Sequence, residues 1–330
     1  MAISNLSDFK IYDEEFQGGM IESLTQNAEV FNEASGGTIR MVTDDMLGFY
    51  KKEAFWKSIG SGGVSRQDVT SNAGLTDGKL EQAEHVSVKL FRKIDPRAVT
   101  YNAFAEIGGD ADQDASFIIG KQVGERIALD AVNTSLAALR ASLANVSAVT
   151  YDATGDVIKN IASTNMLEAL RKMGDNSRKI KAWVMHSTQW FDLQEQGLAD
   201  GYETIATGIL NVHFVPAFGR PIIVTDSPSL INTTPNPDEY FVLGLQEDAA
   251  VVSKIGDVKF VSQLITGQEQ LGIRFQGEYR YMLGLKGFSY DTANGGSNPA
   301  DAAIATGSNW DKVVSSDYDL AGVVLKVLAK

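Results

Sequence analysis

Between Asp112 and Asn145 apolar residues recur every three to four positions, with no proline and one interior glycine, Gly120, among many Ala, Leu, Glu, Arg and Gln residues. Those residue types favour helix, so the pattern predicts a single helix over the whole stretch. At ~1.5 Å per residue it would be about 50 Å long, more than the width of a small domain. Its apolar face changes along the way: Ile119, Val123 and Ile127 make one stripe, and Leu129, Val132, Leu136, Leu139 and Leu143 make a second about half a turn round. The two halves should therefore pack against different neighbours, with the switch at Ala128 to Asp130.

The same patterning organises the rest of the chain. Phe16, Met20 and Leu24, extended by Ala28 and Phe31, recur at helical spacing from Ile11 to Ala34 and predict an amphipathic arm ended by Gly36-Gly37. Asp44 to Trp56 reads as a short helix burying Leu47, Tyr50 and Phe55. From Gly60 to Glu84 glycines and small polar residues dominate, and the few apolar positions cannot form a core of their own. That segment is either a loop or a two-stranded extension that needs another chain to lie on. His85 to Arg92 alternates as a half-buried strand, Asp95-Pro96 should turn the chain, and Val99 to Ala105 should form a second strand.

Beyond the long helix, Thr164 to Met173 predicts a capped helix stopped by Gly174, and Ala182 to His186 a strand. Ser187 should then cap a helix from Thr188 to Gln196. Val212 to Phe218, Ile222 to Thr225 and Tyr240 to Leu243 complete an α+β module, with Ser227 to Pro237 as an exposed loop. From Val258 the pattern is β: Ile273, Phe275, Tyr279, Tyr281, Leu283 and Leu285 hold odd positions, while Arg274, Gln276, Glu278, Arg280 and Lys286 hold even ones. That is a long strand with one apolar face, a floor for the long helix. Asn294-Gly295-Gly296 should turn, and Asp319 to Leu328 should be a final strand.

Composition narrows the function classes. With 330 residues, 44% of them hydrophobic, the chain can bury a substantial core over two or so domains. A net charge of -13 with no Lys/Arg cluster argues against counterion-release binding to nucleic acid as the main activity, and leaves room for a surface that sits near DNA without sticking to it. The absence of cysteine excludes disulfides, thiolate metal sites and cysteine nucleophiles. The N-terminus lacks a signal-peptide pattern and no apolar run reaches the ~18 residues of a membrane span, so a soluble protein made in the cytoplasm is expected.

Candidate chemistry is thin. Asp110, Asp112 and Asp114 resemble the start of a calcium loop, but Ala115 and Lys121 stand where its glycine and glutamate belong, and acids at a helix start suit the macrodipole. His186 beside Ser187 has no G-x-S-x-G elbow around it, and strand neighbours point to opposite faces. His85, His186 and His213 lack metal-ligand spacing, and Gly60-Ser61-Gly62-Gly63 lacks the ending of a phosphate loop. No catalytic residue, metal or cofactor is expected. A hydrolase using a carboxylate pair is the alternative from another class.

The order of parts, and the stretches WVMHSTQWFDLQEQG, GRPIIVTDSP, YFVLGLQEDAAVV and EYRYMLGLKGFSYDTANGGSNPADAAIATGSNWDKV, resemble the major capsid proteins of tailed double-stranded-DNA bacteriophages, whose fold is shared with herpesviruses and encapsulins. The resemblance implies an α+β capsid fold in five parts: residues 1–60 an N-terminal arm, 61–107 an extended loop with peripheral-domain strands, 108–155 the spine helix, 156–253 the axial domain, and 254–330 peripheral strands with the C-terminal segment. It implies a non-enzymatic protein that assembles through pentamers and hexamers into an icosahedral virion shell around DNA. Portal and separate scaffolding or decoration proteins would be partners, with no membrane and no sequence-specific DNA contact. In that reading Val64, Arg66, Val69, Leu75 and Leu80 touch a neighbouring subunit, and Gly60, Gly62 and Gly63 are hinges. The other member of this fold class to weigh is an encapsulin-like compartment, with protein cargo in place of DNA.

Overall fold

The computed structural model describes residues 32–33, 35–43, 48–57, 64, 66–67, 69–71, 74, 78–100, 111–196, 203–206, 211–215, 219–256, 258–267 and 269–330. The arm up to residue 31, Gly60, Gly62, Gly63, Leu75 and Asp110 lie outside these residues.

Two sheets flank one long helix. The first is built on β13 (Gly272–Leu285), which pairs antiparallel along one edge with the 19-residue β3 (Gln82–Thr100). Along its other edge run β11 (Ala250–Lys254) and β12 (Lys259–Ile265), one after the other. β1 (Ile39–Thr43) joins β11, β2 (Tyr50–Trp56) joins β3, and β14 (Phe288–Tyr290) with β15 (Trp310–Lys312) close the far end. The alternation read along β13 is physical: Phe275, Tyr281, Leu283 and Leu285 are buried, whereas Arg274, Gln276 and Glu278 are exposed. Toward its C-terminal end Met282 is buried as well, so the sheet is covered on both faces there.

The second sheet has the order β4-β16-β10-β5-β8-β7-β6, with β9 (Ile231–Asn232) added to β10. Its centre is β10 (Glu239–Gln246), antiparallel to β5 (Ile180–Met185) and to β16 (Gly322–Leu328). β8 (Arg220–Val224) runs parallel to β5, and β4 (Thr150–Asp152) parallel to β16. β6 (Glu203–Ala206) and β7 (Asn211–Val215) finish one edge. Every residue from Tyr240 to Gln246 is buried, the near-continuous burial of a strand covered on both faces.

The helix, α1 (Ala111–Ala144), is 34 residues long, and its two stripes meet different partners. Val132, Leu136, Leu139 and Leu143 are fully buried in a core that also holds Trp183, Leu243, Leu283 and Val324, so it spans both sheets. Val123 and Ile127 instead pack on a separate cluster of Val258, Phe260 and Phe275. The carboxyl-terminal half is also buried on its small-residue side, through Ala131, Ala138, Ala141, Ser135 and Ser142. Both serines satisfy their hydroxyls by donating to carbonyls one turn back, Val132 at 2.7 Å and Leu139 at 3.2 Å. A β-carbon on Gly307 would lie 2.5 Å from the Ala141 carbonyl, so glycine there lets the C-terminal segment press onto the helix.

Several sequence expectations are corrected. Tyr50 to Trp56 is strand, not helix: β3 offers it a full antiparallel partner, from Tyr50 opposite Val88 to Trp56 opposite Gln82, and that long-range pairing overrides local spacing. Asp95-Pro96 does not turn the chain. Ile94 and Arg97 oppose Gly277 and Phe275, so two residues of β3 face one of β13 in a bulge that spares proline a ladder hydrogen bond. Next to the bulge, Gly277 leaves room for its neighbours, since a β-carbon there would come within 2.8 Å of the Phe260 ring and 2.9 Å of the Ile94 side chain.

In the second sheet, α2 (Ser163–Arg171) starts at Ala162 with no side-chain cap, while Gly174 ends the turn after it at φ 51°. His186, not Ser187, caps α3 (Ser187–Glu195). Residues 227–237 are not all exposed loop: Leu230 is fully buried, and Ile231–Asn232 pairs with β10. The final strand begins at Gly322, not Asp319, and joins the second sheet beside β10.

Candidate functional site

β2 pairs antiparallel with the first part of β3 at one edge of the first sheet, from Tyr50 opposite Val88 to Trp56 opposite Gln82. The last rung among the described residues is the Lys57 N–H donating to the Glu81 carbonyl at 2.9 Å. Cross-strand pairs Lys52–Glu84 at 2.9 Å and Lys57–Glu81 at 3.0 Å hold the register. The apolar residues at this end face solvent: Trp56 is 64% exposed, Leu80 71%, Val69 86% and Val64 92%. Arg66 is exposed beside them. Val64, Arg66, Val69 and Leu80 are all exposed, and so is Trp56, which ends β2 and not a helix.

At the hairpin's root a second pair of exposed rings, Phe49 and Phe91, sits with centroids 5.6 Å apart. The adjacent Lys89 is buried, and that burial, followed by the nearby Arg280, pushes its ammonium pKa down.

A polar clasp ties this root to the helix. Arg92 continues the inward register of Val86, Val88 and Leu90, but it is charged. Its Nε lies 3.2 Å from Asp130, and its Nη2 lies 2.6 Å from Asp301 and donates to the Thr134 hydroxyl at 2.9 Å. The Tyr279 and Tyr281 hydroxyls donate to the same Asp130 oxygen at 2.8 and 3.3 Å. Burial alone would lower the Arg92 pKa, yet Asp301, Tyr281 and Asp130 raise it above its ordinary range. Burial and then Asp130 push both tyrosine pKa values up. Asp130 is where the helix changes face, so the clasp sits between the two apolar clusters. A sequence signal existed: an arginine on the apolar side of a strand, and an aspartate inside an apolar helix stripe.

The three histidines do separate structural jobs. His186 Nδ1 accepts the Thr188 N–H at 3.2 Å as helix cap, and its Nε2 lies 3.6 Å from Asp226. His85 Nε2 meets the Leu285 carbonyl at 3.0 Å, and the His213 ring stacks on Trp190 at 4.9 Å. Burial lowers the pKa of His186, against a smaller opposing effect of Asp226, and that of His213. Among the described residues no three His, Asp or Glu side chains are grouped to hold a metal, and no helix is long and apolar enough to cross a membrane.

The family model described as Gp13-like, major capsid protein 13-like, matches residues 8–324. Among solved structures, the capsid of Ralstonia phage GP4 is similar, with a TM-score of 0.52 at 9% identity over 90% of this chain and 88% of that one. The capsid asymmetric unit of cyanophage Pam1 gives 0.51 at 11% identity, over 88% of each chain. At such identities what is shared is the fold. A search of curated proteins finds no match.

Proposed function

This chain belongs to the major capsid protein 13-like family, and we propose from that membership and its exposed apolar residues around β2 that it assembles through pentamers and hexamers into an icosahedral shell around double-stranded DNA. It is a structural virion protein and not an enzyme. The observation that carries the proposal is that Trp56, Val64, Val69 and Leu80, apolar residues at the end of β2 and between β2 and β3, are all left in water. Covering one such side chain on a neighbour gains roughly 1.5–3 kcal/mol, and a closed shell repeats the contact at every equivalent position.

The first sheet with α1 is the peripheral part in this reading, and the second sheet with its returning C-terminal strand is the axial part. Gly60, Gly62 and Gly63 serve as hinges between β2 and β3. The acidic chain confines DNA without gripping it, since -13 offers little to phosphate. Assembly takes place in the host cytoplasm with a portal and with separate scaffolding or decoration proteins. The copies hold together without covalent crosslinks.

Electron microscopy of expressed protein tests the main claim. Wild type should give shells, and Trp56→Ser with Leu80→Ser should give folded subunits, by circular dichroism, that fail to close. Normal shell yield from that variant would sink the hairpin's role. Gly62→Pro with Gly63→Pro should block expansion of the shell, and unchanged expansion would remove the hinge assignment. A ladder of bands surviving boiling in detergent would refute non-covalent assembly.

A further inference from the structure

Charge is spread unevenly over this acidic chain. Five of the eleven residues from Arg171 to Lys181 are basic, namely Arg171, Lys172, Arg178, Lys179 and Lys181, against the single Asp175. That is a basic cluster which the reading of overall charge passed over. The five are exposed on and beside the 3-10 turn Gly174–Lys179 that joins α2 to β5. Arg220 fixes the turn from the neighbouring strand, its Nε donating to the Ile180 carbonyl at 2.9 Å and its Nη2 to the Ser177 carbonyl at 3.1 Å. Lys286 adds a further cation: burial, and next the nearby Lys179, push its ammonium pKa down, while Asp248, Glu247 and Asp319 oppose. Two of the five cations are answered within the chain, Arg171 by Glu168 and Lys179 by Asp319 at 3.0 Å. Lys172, Arg178 and Lys181 have no ion-pair partner among the described residues.

We propose that this basic turn docks on carboxylates of a second copy of the chain, in a head-to-tail contact. The inference rests on the shell reading and adds to it a polar contact separate from the apolar residues around β2. Charge complementarity selects the occupant: a copy of net charge -13 offers a mostly acidic surface, and the turn is where the same chain reverses that sign. Symmetry selects the geometry. A two-fold contact through the turn would set Lys172, Arg178 and Lys181 against their own counterparts, and like charges facing one another oppose association. A head-to-tail contact sets them against a different patch of the next copy, and repetition of such a contact closes rings and shells. Duplex DNA is the other polyanion to weigh. Three unpaired cations release few counterions from it, and the rest of the chain repels phosphate, so binding there is weak at physiological salt. Between copies the same three charges act at contact distance and are repeated at every equivalent position.

A carbodiimide, which joins an amine only to a carboxylate in contact with it, tests the proposal on full-length protein assembled from isotopically heavy and light chains. Mass spectrometry should find Lys172 or Lys181 joined to an Asp or Glu peptide in pairs of mixed isotopic content. Pairs of uniform content alone, or no crosslink at either lysine, would overturn the proposal. A variant carrying Lys172→Glu, Arg178→Glu and Lys181→Glu, checked for folding by circular dichroism, should need a roughly tenfold higher concentration for half-maximal assembly, the scale of three exposed ion pairs. An unchanged concentration would also overturn it. So would binding of a fluorescent DNA duplex by the unassembled wild type that this variant loses while assembling normally, since the turn would then serve phosphate. Micrographs of the crosslinked samples report shell formation separately. Shells without the crosslink sink this inference alone, whereas smaller oligomers that keep the crosslink count against the shell reading alone.

Discussion

The two halves of α1 share one backbone and live in different surroundings. From Ala128 to Leu143 the helix is enclosed on nearly all sides by a core that runs through both sheets. From Lys121 to Ile127 it rests on three buried residues and lines a groove. The stretch from Lys121 to Ile127 is therefore held by fewer buried contacts than the stretch after Ala128, with the Arg92–Asp130 clasp at the boundary. The contrast explains how one element can be both the anchor of the fold and the side of a groove. Rigidity follows from packing around the helix, not from helix propensity, which is high throughout.

That contrast can be broken most severely in the enclosed half. Leu136→Ala should cost about 3–5 kcal/mol, the range for a fully buried leucine whose surroundings cannot collapse, and is measured by denaturant titration of the unassembled chain. A loss under about 1 kcal/mol would show that the core is looser than its burial suggests. At the boundary, Arg92→Leu should cost roughly 2–3 kcal/mol, because Asp130 keeps its place beneath Tyr279 and Tyr281 with its countercharge gone. Asp301→Asn should cost much less, since Asp301 is 71% exposed while Arg92 is 18% exposed. Equal losses from the two would mean that Asp301, not Asp130, carries the clasp.

The sequence made the contrast visible because helical and strand periods are local properties. The change of stripe near Asp130 and the odd-even alternation of β13 are written in residue spacing, and each stripe has a distinct partner in the structure. Tyr50 to Trp56 was misread for the opposite reason: its strand character comes from β3, some thirty residues away, and nothing in its own spacing records that. The destination of Gly322–Leu328 is equally non-local, set by β10 and β4. His186 was passed over as a cap because the usual capping residue, serine, follows it, yet its ring nitrogen accepts the same N–H. That Val64, Val69 and Leu80 are exposed follows from a segment with too few apolar residues to form a core of its own. Trp56 was not legible in this way, having been assigned to the wrong element.

Smaller effects sharpen the comparison. Val123→Ala, beside the groove, should cost about 1 kcal/mol, well below the loss for Leu136→Ala, and a comparable loss would erase the distinction between the halves. Acid should act through the second sheet, where burial lowers the pKa of His186 and His213 below the usual 6.5. The unfolded chain then binds protons first, so stability is present above pH 6.5 and is lost as pH falls through 6.5 toward the folded values. His186→Asn should flatten that loss while keeping a cap.

The smallest expected change in stability, and the most informative, is in the hairpin. Trp56 is 64% exposed in the isolated chain, so Trp56→Ser removes little buried contact and should shift the unfolding midpoint by no more than the equivalent of ~0.5 kcal/mol. If the exposed ring meets another copy, as proposed, the same substitution should lower the yield of closed particles. A variant that melted early and assembled poorly would put Trp56 in the fold of its own chain. Normal melting with failed assembly would instead separate the hairpin from both halves of the helix, as a surface whose partner lies outside the subunit.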